Sequence, residues 1–442
     1  MTDIHVTKYD ETYIHIECDR SVAASINEYF TFTADNYRFD PRFKNKVWDG
    51  KIRIFKQLPS LLYKGLYDDL VEFARENGYT ISSHYKQKDN PVTREEIEKI
   101  YSRNNSTFKP YPHQIEALYW SLKLQNALIL SATSSGKSFF IYNLALTLKS
   151  IGPVLIIVPT VNLVEQLRKD FIDYSEFNQF DVGKNVHTIY AGMSKHEQVP
   201  ITISTWQSIY EMPKQWFKQF KAVIGDECHL YKAKSLKTIM ENLSNATFRI
   251  GTTGSLDNSE TNKLVLKGLF GPIKQVVQTS EMIESGQATP MKIKILVMHY
   301  TEADKAVLKA DYRQQTEWFA TNEKRNKFIR KLVASQEGNK LVLFNLVDKH
   351  GIPLYKAFKK EYPDKDIFYI SGKTPVAERE EIRKKLDEIE VGIHLTFGKK
   401  IVVCQRNTEV PLTNGTYKKA SEITKNDDVL DSWVEKESKK HK

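Results

Sequence analysis

The sequence predicts an α/β protein built on doubly wound parallel sheets, and three observations predict it. Short apolar runs, such as residues 127–130 and 222–224, alternate with turn residues and helix-like stretches along most of the chain. That alternation is the pattern of strands joined by helical crossovers. Two of the runs end in Ser135-Gly136-Lys137-Ser138 and in Asp226-Glu227-Cys228-His229, and open α/β sheets present their ligand groups at the carboxyl ends of strands. The third observation is size: 442 residues with 40% hydrophobic content allow two to four packed domains.

The elements follow in order. Residues 1–88 read as a small α+β domain, with hairpin strands near 5–6 and 13–16 and a helix over 20–30. Between residues 37 and 53, Arg38, Arg42, Lys44, Lys46, Lys51 and Arg53 interleave with aromatics. This is the composition of a phosphate-gripping surface with stacking platforms. It equally fits a small domain whose aromatics are core and whose charges are solvated. Residues 89–107 are charged and Asn/Ser-rich, a linker with one short helix at 94–101. A first nucleotide-binding domain spans 108–285 and a second, incomplete one spans 286–391. The second is expected to contain strands at 292–298, 340–345 and 366–370, and helices at 324–335, 354–361 and 377–388.

The strand at 127–130 leads through Ser131-Ala132-Thr133-Ser134-Ser135-Gly136-Lys137-Ser138 into an apolar helix over 139–148. Strand, small-residue loop and helix is the arrangement that cradles phosphates. Ser134, Ser135 and Gly136 let backbone N–H groups approach phosphate oxygens, and the helix N-terminus faces the negative charge. Lys137 would reach the β- and γ-phosphates, and the Ser138 hydroxyl would ligate Mg²⁺. Ser131 stands where the consensus has its first glycine. Downstream, Asp226 would hold the Mg²⁺, Glu227 would orient the attacking water as general base, and His229 would couple the state of ATP to the nucleic-acid side.

On these residues the chain resembles superfamily 2 helicases over most of its length. Phe108, Tyr111 and Gln114 look like the adenine-recognising Q motif, with an aromatic stacked on the base and Gln114 reading its edge. Val158-Pro159-Thr160 and Ile203-Ser204-Thr205-Trp206-Gln207 resemble motifs Ia and Ic, which implies nucleic-acid contacts from Thr160, Thr205 and Trp206. Thr253-Gly254-Ser255 resembles motif III, which implies a coupling role for Thr253 and Ser255. Residues 341–345, then Tyr369-Ile370-Ser371-Gly372 with Arg379, resemble motif IV and the next block. The resemblance implies RecA-like domains, ATP with Mg²⁺, and helicase activity. Phe30-Thr31-Phe32 and residues 37–53 are also similar to the N-terminal domain of the UvsW-type recombination and fork-remodelling helicases of T-even-like phages. Over about residues 1–390 this implies branched DNA as partner and the cytoplasm of a bacterial host as location.

Composition agrees. A net charge of +10 suits an anionic polymer. Cys18, Cys228 and Cys404 have no disulfide or metal spacing, which fits a reducing compartment. No apolar run approaches the roughly 20 residues of a membrane span, and the N-terminus has no signal-peptide pattern.

After Glu390 the motif pattern stops. No Gln-x-x-Gly-Arg-x-x-Arg run occurs, so motifs V and VI are expected to be missing and full activity to need splicing or a partner chain. Residues 392–442 resemble a Hint-type (intein) segment, through Thr408-Glu409-Val410, the hairpin dipeptide Asn414-Gly415, Ala420-Ser421-Glu422-Ile423 and Asp427-Asp428-Val429-Leu430. One alignment makes Cys404 a splicing nucleophile that attacks the preceding carbonyl and implies a complementary intein chain. Another places Cys404 and Asn407 where an active block has Thr and His, so that block is dead. A third possibility is an unrelated surface hairpin. Two function classes follow: an ATP-dependent DNA helicase, and an ATP- and DNA-binding fragment with little turnover.

Overall fold

A computed structural model describes residues 3–34, 37–87, 89–104, 108–176, 178–190, 192–195, 197–231, 233–256, 260–288, 296–302, 304, 311–336, 338–388, 392–397, 409–411 and 417–419. The chain forms two compact units, residues 1–290 and 291–442.

The first unit begins with strands β1 (Ile4–Lys8), β2 (Tyr13–Cys18), β3 (Thr31–Thr33), β4 (Lys51–Arg53), β5 (Leu61–Tyr63) and β6 (Ile81–Ser83). β1 and β2 pair antiparallel as the expected hairpin and sit in a sheet ordered β5-β2-β1-β6. Alternation buries Ile4, Val6, Ile14 and Ile16. Helices Arg20–Tyr29 and Tyr67–Glu76 contribute Val22, Ile26, Leu70 and Phe73 to the same core. β3 and β4 form a separate two-stranded ribbon, Thr31 opposite Arg53 and Thr33 opposite Lys51.

A seven-stranded sheet follows, ordered β13-β7-β12-β11-β8-β10-β9 and parallel in every pairing. Its strands are β7 (Asn126–Ser131), β8 (Val154–Val158), β9 (Val186–Ile189), β10 (Ile201–Thr205), β11 (Ala222–Gly225), β12 (Phe248–Thr253) and β13 (Ile273–Val277). β8, Val-Leu-Ile-Ile-Val, is buried throughout, as a strand covered on both faces must be.

The small domain is fastened to this sheet through buried polar groups. Arg249, in β12, is fully buried. Its guanidinium donates to the carbonyls of Leu269 (3.0 Å), Leu243 (3.1 Å) and Met240 (2.6 Å) and to Thr12 Oγ1 (3.1 Å). Burial pushes its pKa down to about 10. Tyr63 donates to Glu241 (3.0 Å), where the Tyr13 hydroxyl also bonds, and Lys267 pairs with Asp69 at 2.7 Å. The small domain and the nucleotide-binding domain therefore share one body.

In the second unit, β14 (Lys340–Phe344), β15 (Asp366–Ile370) and β16 (Gly392–Phe397) form a parallel sheet ordered β14-β16-β15. Val342, Phe344, Leu354, Phe358 and Ile367 make its core. Helices Glu323–Ala334, Ile352–Glu361 and Val376–Glu388 lie where the sequence places them. Helix Tyr312–Thr321 is additional. Two points differ. The strand expected at 292–298 is absent from its described part, since Leu296–Met298 carry no regular structure and no neighbouring strand takes their backbone bonds. β16 lies beyond the boundary drawn at residue 391 and is the middle strand of the sheet. Ile393, Leu395 and Phe397 keep the strand alternation after the recognisable motifs have ended.

Farther on, β17 (Glu409–Pro411) and β18 (Tyr417–Lys419) pair antiparallel. They bracket Asn414-Gly415, which lies outside the described residues, as do Cys404, Asn407, residues 420–423 and residues 427–430.

Candidate nucleotide site and nucleic-acid surface

β7 ends at Ser131, and the loop that follows closes on itself. The hydroxyls of Ser131 and Ser135 lie 2.6 Å apart, so serine at the consensus glycine position supplies a side-chain bond. Ser134 (φ 65°) and Gly136 (φ 73°) adopt left-handed backbone. A Cβ on Gly136 would lie 2.5 Å from Gln114 Nε2, so glycine answers both the conformation and the close approach. Helix Lys137–Leu148 starts directly after it. Lys137 Nζ sits 3.0 Å from Glu227 Oε1 and 3.4 Å from the carbonyls of Ser131 and Ala132.

β11 delivers Asp226 and Glu227 beside that lysine. Asp226 Oδ1 accepts from Thr252 Oγ1 (2.6 Å) and from the Glu227 N–H (3.0 Å). Burial raises the Asp226 carboxyl above the usual aspartate range and the Glu227 charge adds to this, against the Thr252 bond and Lys137. Glu227 takes a left-handed backbone, φ 46°, strain of the kind stored at functional sites. Its second oxygen lies 3.4 Å from His229 Nδ1 and 3.5 Å from the Gly254 N–H. Thr253 Oγ1 is 2.5 Å from His229 Nδ1 and donates to the Ser255 carbonyl at 2.8 Å. The threonine proton is thereby used, so His229 Nδ1 is the donor in that pair. Lys137, Asp226, Glu227, His229 and Thr253 thus meet as the motifs imply, and Ser255 joins through its carbonyl.

At the base end, Phe108 and Tyr111 are half-exposed. Phe108 packs edge-to-face on Phe139 and Tyr174, and Tyr111 stacks on His113. Gln114 differs from expectation. It is buried, its Oε1 accepts from the Tyr111 N–H (2.9 Å), and its Nε2 donates to the carbonyls of Ser135 (3.2 Å) and Gly136 (3.0 Å). Here it fastens the Q-motif turn to the phosphate loop, because the tight αL loop turns two carbonyls toward it. Three contributors escaped the sequence. His113 Nε2 bonds the Ser135 carbonyl at 2.8 Å, and the Tyr174 hydroxyl lies 3.0 Å from Ser138 Oγ. Buried Tyr231 bonds the carbonyls of Ile157 and Asp226, pinning the end of β11. His113 adjoins Gln114 and was open to notice; nothing local marks Tyr174 or Tyr231.

Of the nucleic-acid candidates, Thr160 is exposed and caps helix Val161–Ser175. Thr205 and Trp206 are corrected. Trp206 is 8% exposed and packs in the core, and buried Thr205 bonds Ser208 Oγ at 2.9 Å. Thr205 ends the interior strand β10 and Trp206 opens the helix after it, and both side chains turn inward to brace that junction. Arg38, Arg42, Lys44, Lys46, Lys51 and Arg53 are all exposed on or beside the β3–β4 ribbon. Four of them line an open cleft of about 840 Å³.

Two family descriptions match this chain: "DNA helicase UvsW, N-terminal" over residues 3–84 and "Type III restriction enzyme, res subunit" over residues 107–258. The ATP-dependent DNA helicase uvsW of Enterobacteria phage T4 is 34% identical over 409 residues, 88% of this chain and 79% of that protein. The chain belongs to the UvsW family of ATP-dependent DNA helicases. Membership makes it an ATP-hydrolysing DNA helicase. The crystal structure of T4 UvsW matches with a TM-score of 0.58 at 30% identity, over 89% of this chain and 80% of that one. A DNA 3′–5′ translocase of Sulfurisphaera tokodaii is 27% identical over 195 residues, 44% of this chain and 41% of that protein.

Proposed function

We propose that this helicase spends ATP, with Mg²⁺, on remodelling branched DNA in recombination, fork rescue and repair. The observation that carries the reading is the Lys137–Glu227 ion pair beside buried Asp226. The pair places an ammonium where a triphosphate would claim it and leaves Glu227 bonded to the Thr253–His229 link. A carboxylate as buried as Asp226 fits a divalent cation, and Asp226 with Ser138 would hold it. Bound there, the ion would neutralise charge on phosphate oxygens. Lys137 would move from Glu227 to the phosphates, and Glu227 would then orient the water. Its contacts with His229 and the Gly254 N–H would report the change to Thr253. Among the described residues no helix is long and apolar enough to cross a membrane, and the proposed setting is the infected host's cytoplasm.

The test is steady-state ATPase with forked or four-way DNA against linear duplex of equal mass. Stronger stimulation by the branched substrates supports the reading, and equal stimulation removes the branch preference. The lack of a Gln-x-x-Gly-Arg-x-x-Arg run favours a second reading, in which the 442-residue polypeptide by itself binds ATP and DNA with little turnover. Robust unwinding by it would contradict that. The splicing role of Cys404 draws support only from the paired strands around Asn414-Gly415. In that role, mild thiol plus a complementary intein half cleaves the Val403–Cys404 bond, and Cys404→Ala blocks it.

A further inference from the structure

The six cations of residues 38–53 are not equivalent. Arg42 is held by Asp40 through two bonds, Nε at 3.1 Å and Nη2 at 2.8 Å. Arg53 is held by Asp49 in the same two-toothed way, which pulls the Asp49 carboxyl down to about 2. Arg38 bonds the Tyr37 hydroxyl at 3.2 Å, and among the described residues Arg38, Lys44 and Lys46 pair with no carboxylate. Arg38, Lys44 and Lys46 line the cleft together with Phe43, Val47, Trp48 and the Asp49–Arg53 ion pair, whose charges offset each other. Its volume of about 840 Å³ falls in the range of small-ligand sites.

The cleft is rigid. The Val47 and Trp48 N–H groups both bond the Arg42 carbonyl, at 2.9 and 3.2 Å. The Trp48 indole N–H donates to the Lys51 carbonyl at 2.8 Å. Tyr37 meets Phe43 edge-on at 4.7 Å. Gly50 (φ 78°) lies so close to Tyr37 that a Cβ would sit 2.5 Å from its ring. The Arg42 guanidinium covers the Trp48 ring at 4.7 Å, a fixed cation–π backing for an indole that borders the cleft. Val47, at the rim, is 78% exposed.

We infer that this cleft takes an unpaired nucleotide of single-stranded DNA, its base against Trp48 and its phosphates on Arg38, Lys44 and Lys46. A duplex offers a side-on surface its phosphates, sugars and groove edges but no free base face to lie against the indole, Phe43 and Val47. An unpaired base has a free face that covers them, and base–aromatic stacking tolerates any sequence. The strand so held is the single-stranded arm at a branch. The inference rests on the DNA reading above and names the part of the substrate that the small domain holds.

The experiment measures equilibrium binding of the whole chain to a fork with one single-stranded arm and to blunt duplex. Trp48→Ala is expected to weaken the fork about tenfold, within the range of one lost stack, and to leave duplex affinity unchanged. Trp48→Phe restores most of the loss. Abasic sites along the arm weaken wild type as Trp48→Ala does and add nothing in that variant, which separates stacking from misfolding. Equal loss on fork and duplex, or indifference of wild type to abasic sites, overturns the inference and leaves a phosphate-only surface. Failure of wild type to bind either DNA overturns the DNA reading itself.

Discussion

In the nucleotide site the functional groups already have protein partners: Lys137 has Glu227, Ser138 has Tyr174, Asp226 has Thr252, and Gln114 has the loop carbonyls. In the cleft of the small domain, Arg38, Lys44 and Lys46 have no carboxylate partner among the described residues, although backbone hydrogen bonds tie the turn around them. In the first site the groups proposed to meet ATP are in contact with one another, so bound phosphates would compete with the Lys137–Glu227 pair. In the second, Arg38, Lys44 and Lys46 keep their charge uncompensated by any carboxylate among the described residues. A ligand that breaks the Lys137–Glu227 pair changes what Glu227 offers to His229 and Gly254, so the first site is built to switch. The cleft is built to hold, and its grip is governed by salt. Arg249 and Glu241 tie the two into one body, so the held strand moves with the motor sheet.

The sharpest way to break this contrast is Glu227→Gln. It keeps the shape of the site and removes the base, so hydrolysis is expected to fall about 10²–10⁴-fold while ATP binding persists. Wild-type turnover would assign the base to another carboxylate. The joint between the regions comes next. Arg249→Met leaves the Met240, Leu243 and Leu269 carbonyls without their donor and is expected to cost about 3 kcal/mol or more, read by urea unfolding. A cost below about 1 kcal/mol would show that the domains do not depend on this joint.

Charge in the cleft should show as salt dependence. Reversing Arg38, Lys44 and Lys46 to Glu is expected to flatten the log–log slope of affinity against salt by at least about 2, at roughly 0.7 per single-strand phosphate contact. An unchanged slope would make them a solvated face. The smallest effect concerns Asp226. Its folded-state pKa is raised above the ordinary 3.8, so its contribution to stability is present below that value and is lost as pH rises through the raised one. Asp226→Asn carries no charge, and Asn Oδ1 can still accept from Thr252. The variant is expected to be more stable by about 1 kcal/mol at neutral pH, with the gain vanishing below about pH 4, while hydrolysis is lost. A gain independent of pH would contradict the buried-charge account.

The motor site was legible in the sequence because its logic is local. A strand, a small-residue loop and a helix follow one another at 126–148, and Asp226 and Glu227 directly follow a strand. Other parts depended on distant contacts. Gln114 turns to a loop 21 and 22 residues away, and Tyr174 reaches Ser138 across 36. Motif likeness placed Thr205 and Trp206 near nucleic acid but carried no information on burial. Arg249 sits in Phe-Arg-Ile-Gly-Thr-Thr, where an arginine suggests an exposed face, and only the packed small domain makes it interior. β16 is hidden from motif likeness because motif wording, not strand periodicity, ends at residue 390.

The most direct test of the central claim, a switching ATP site and an independent DNA-holding cleft on one body, is Lys137→Ala with both ligands titrated on the same preparation. ATP affinity is expected to fall about 10–100-fold, the worth of a charged hydrogen bond of roughly 1.5–3 kcal/mol, with fork-DNA affinity in the absence of nucleotide unchanged. Unaltered ATP binding, or a parallel collapse of DNA binding in a protein that still unfolds cooperatively at the wild-type temperature, would contradict it.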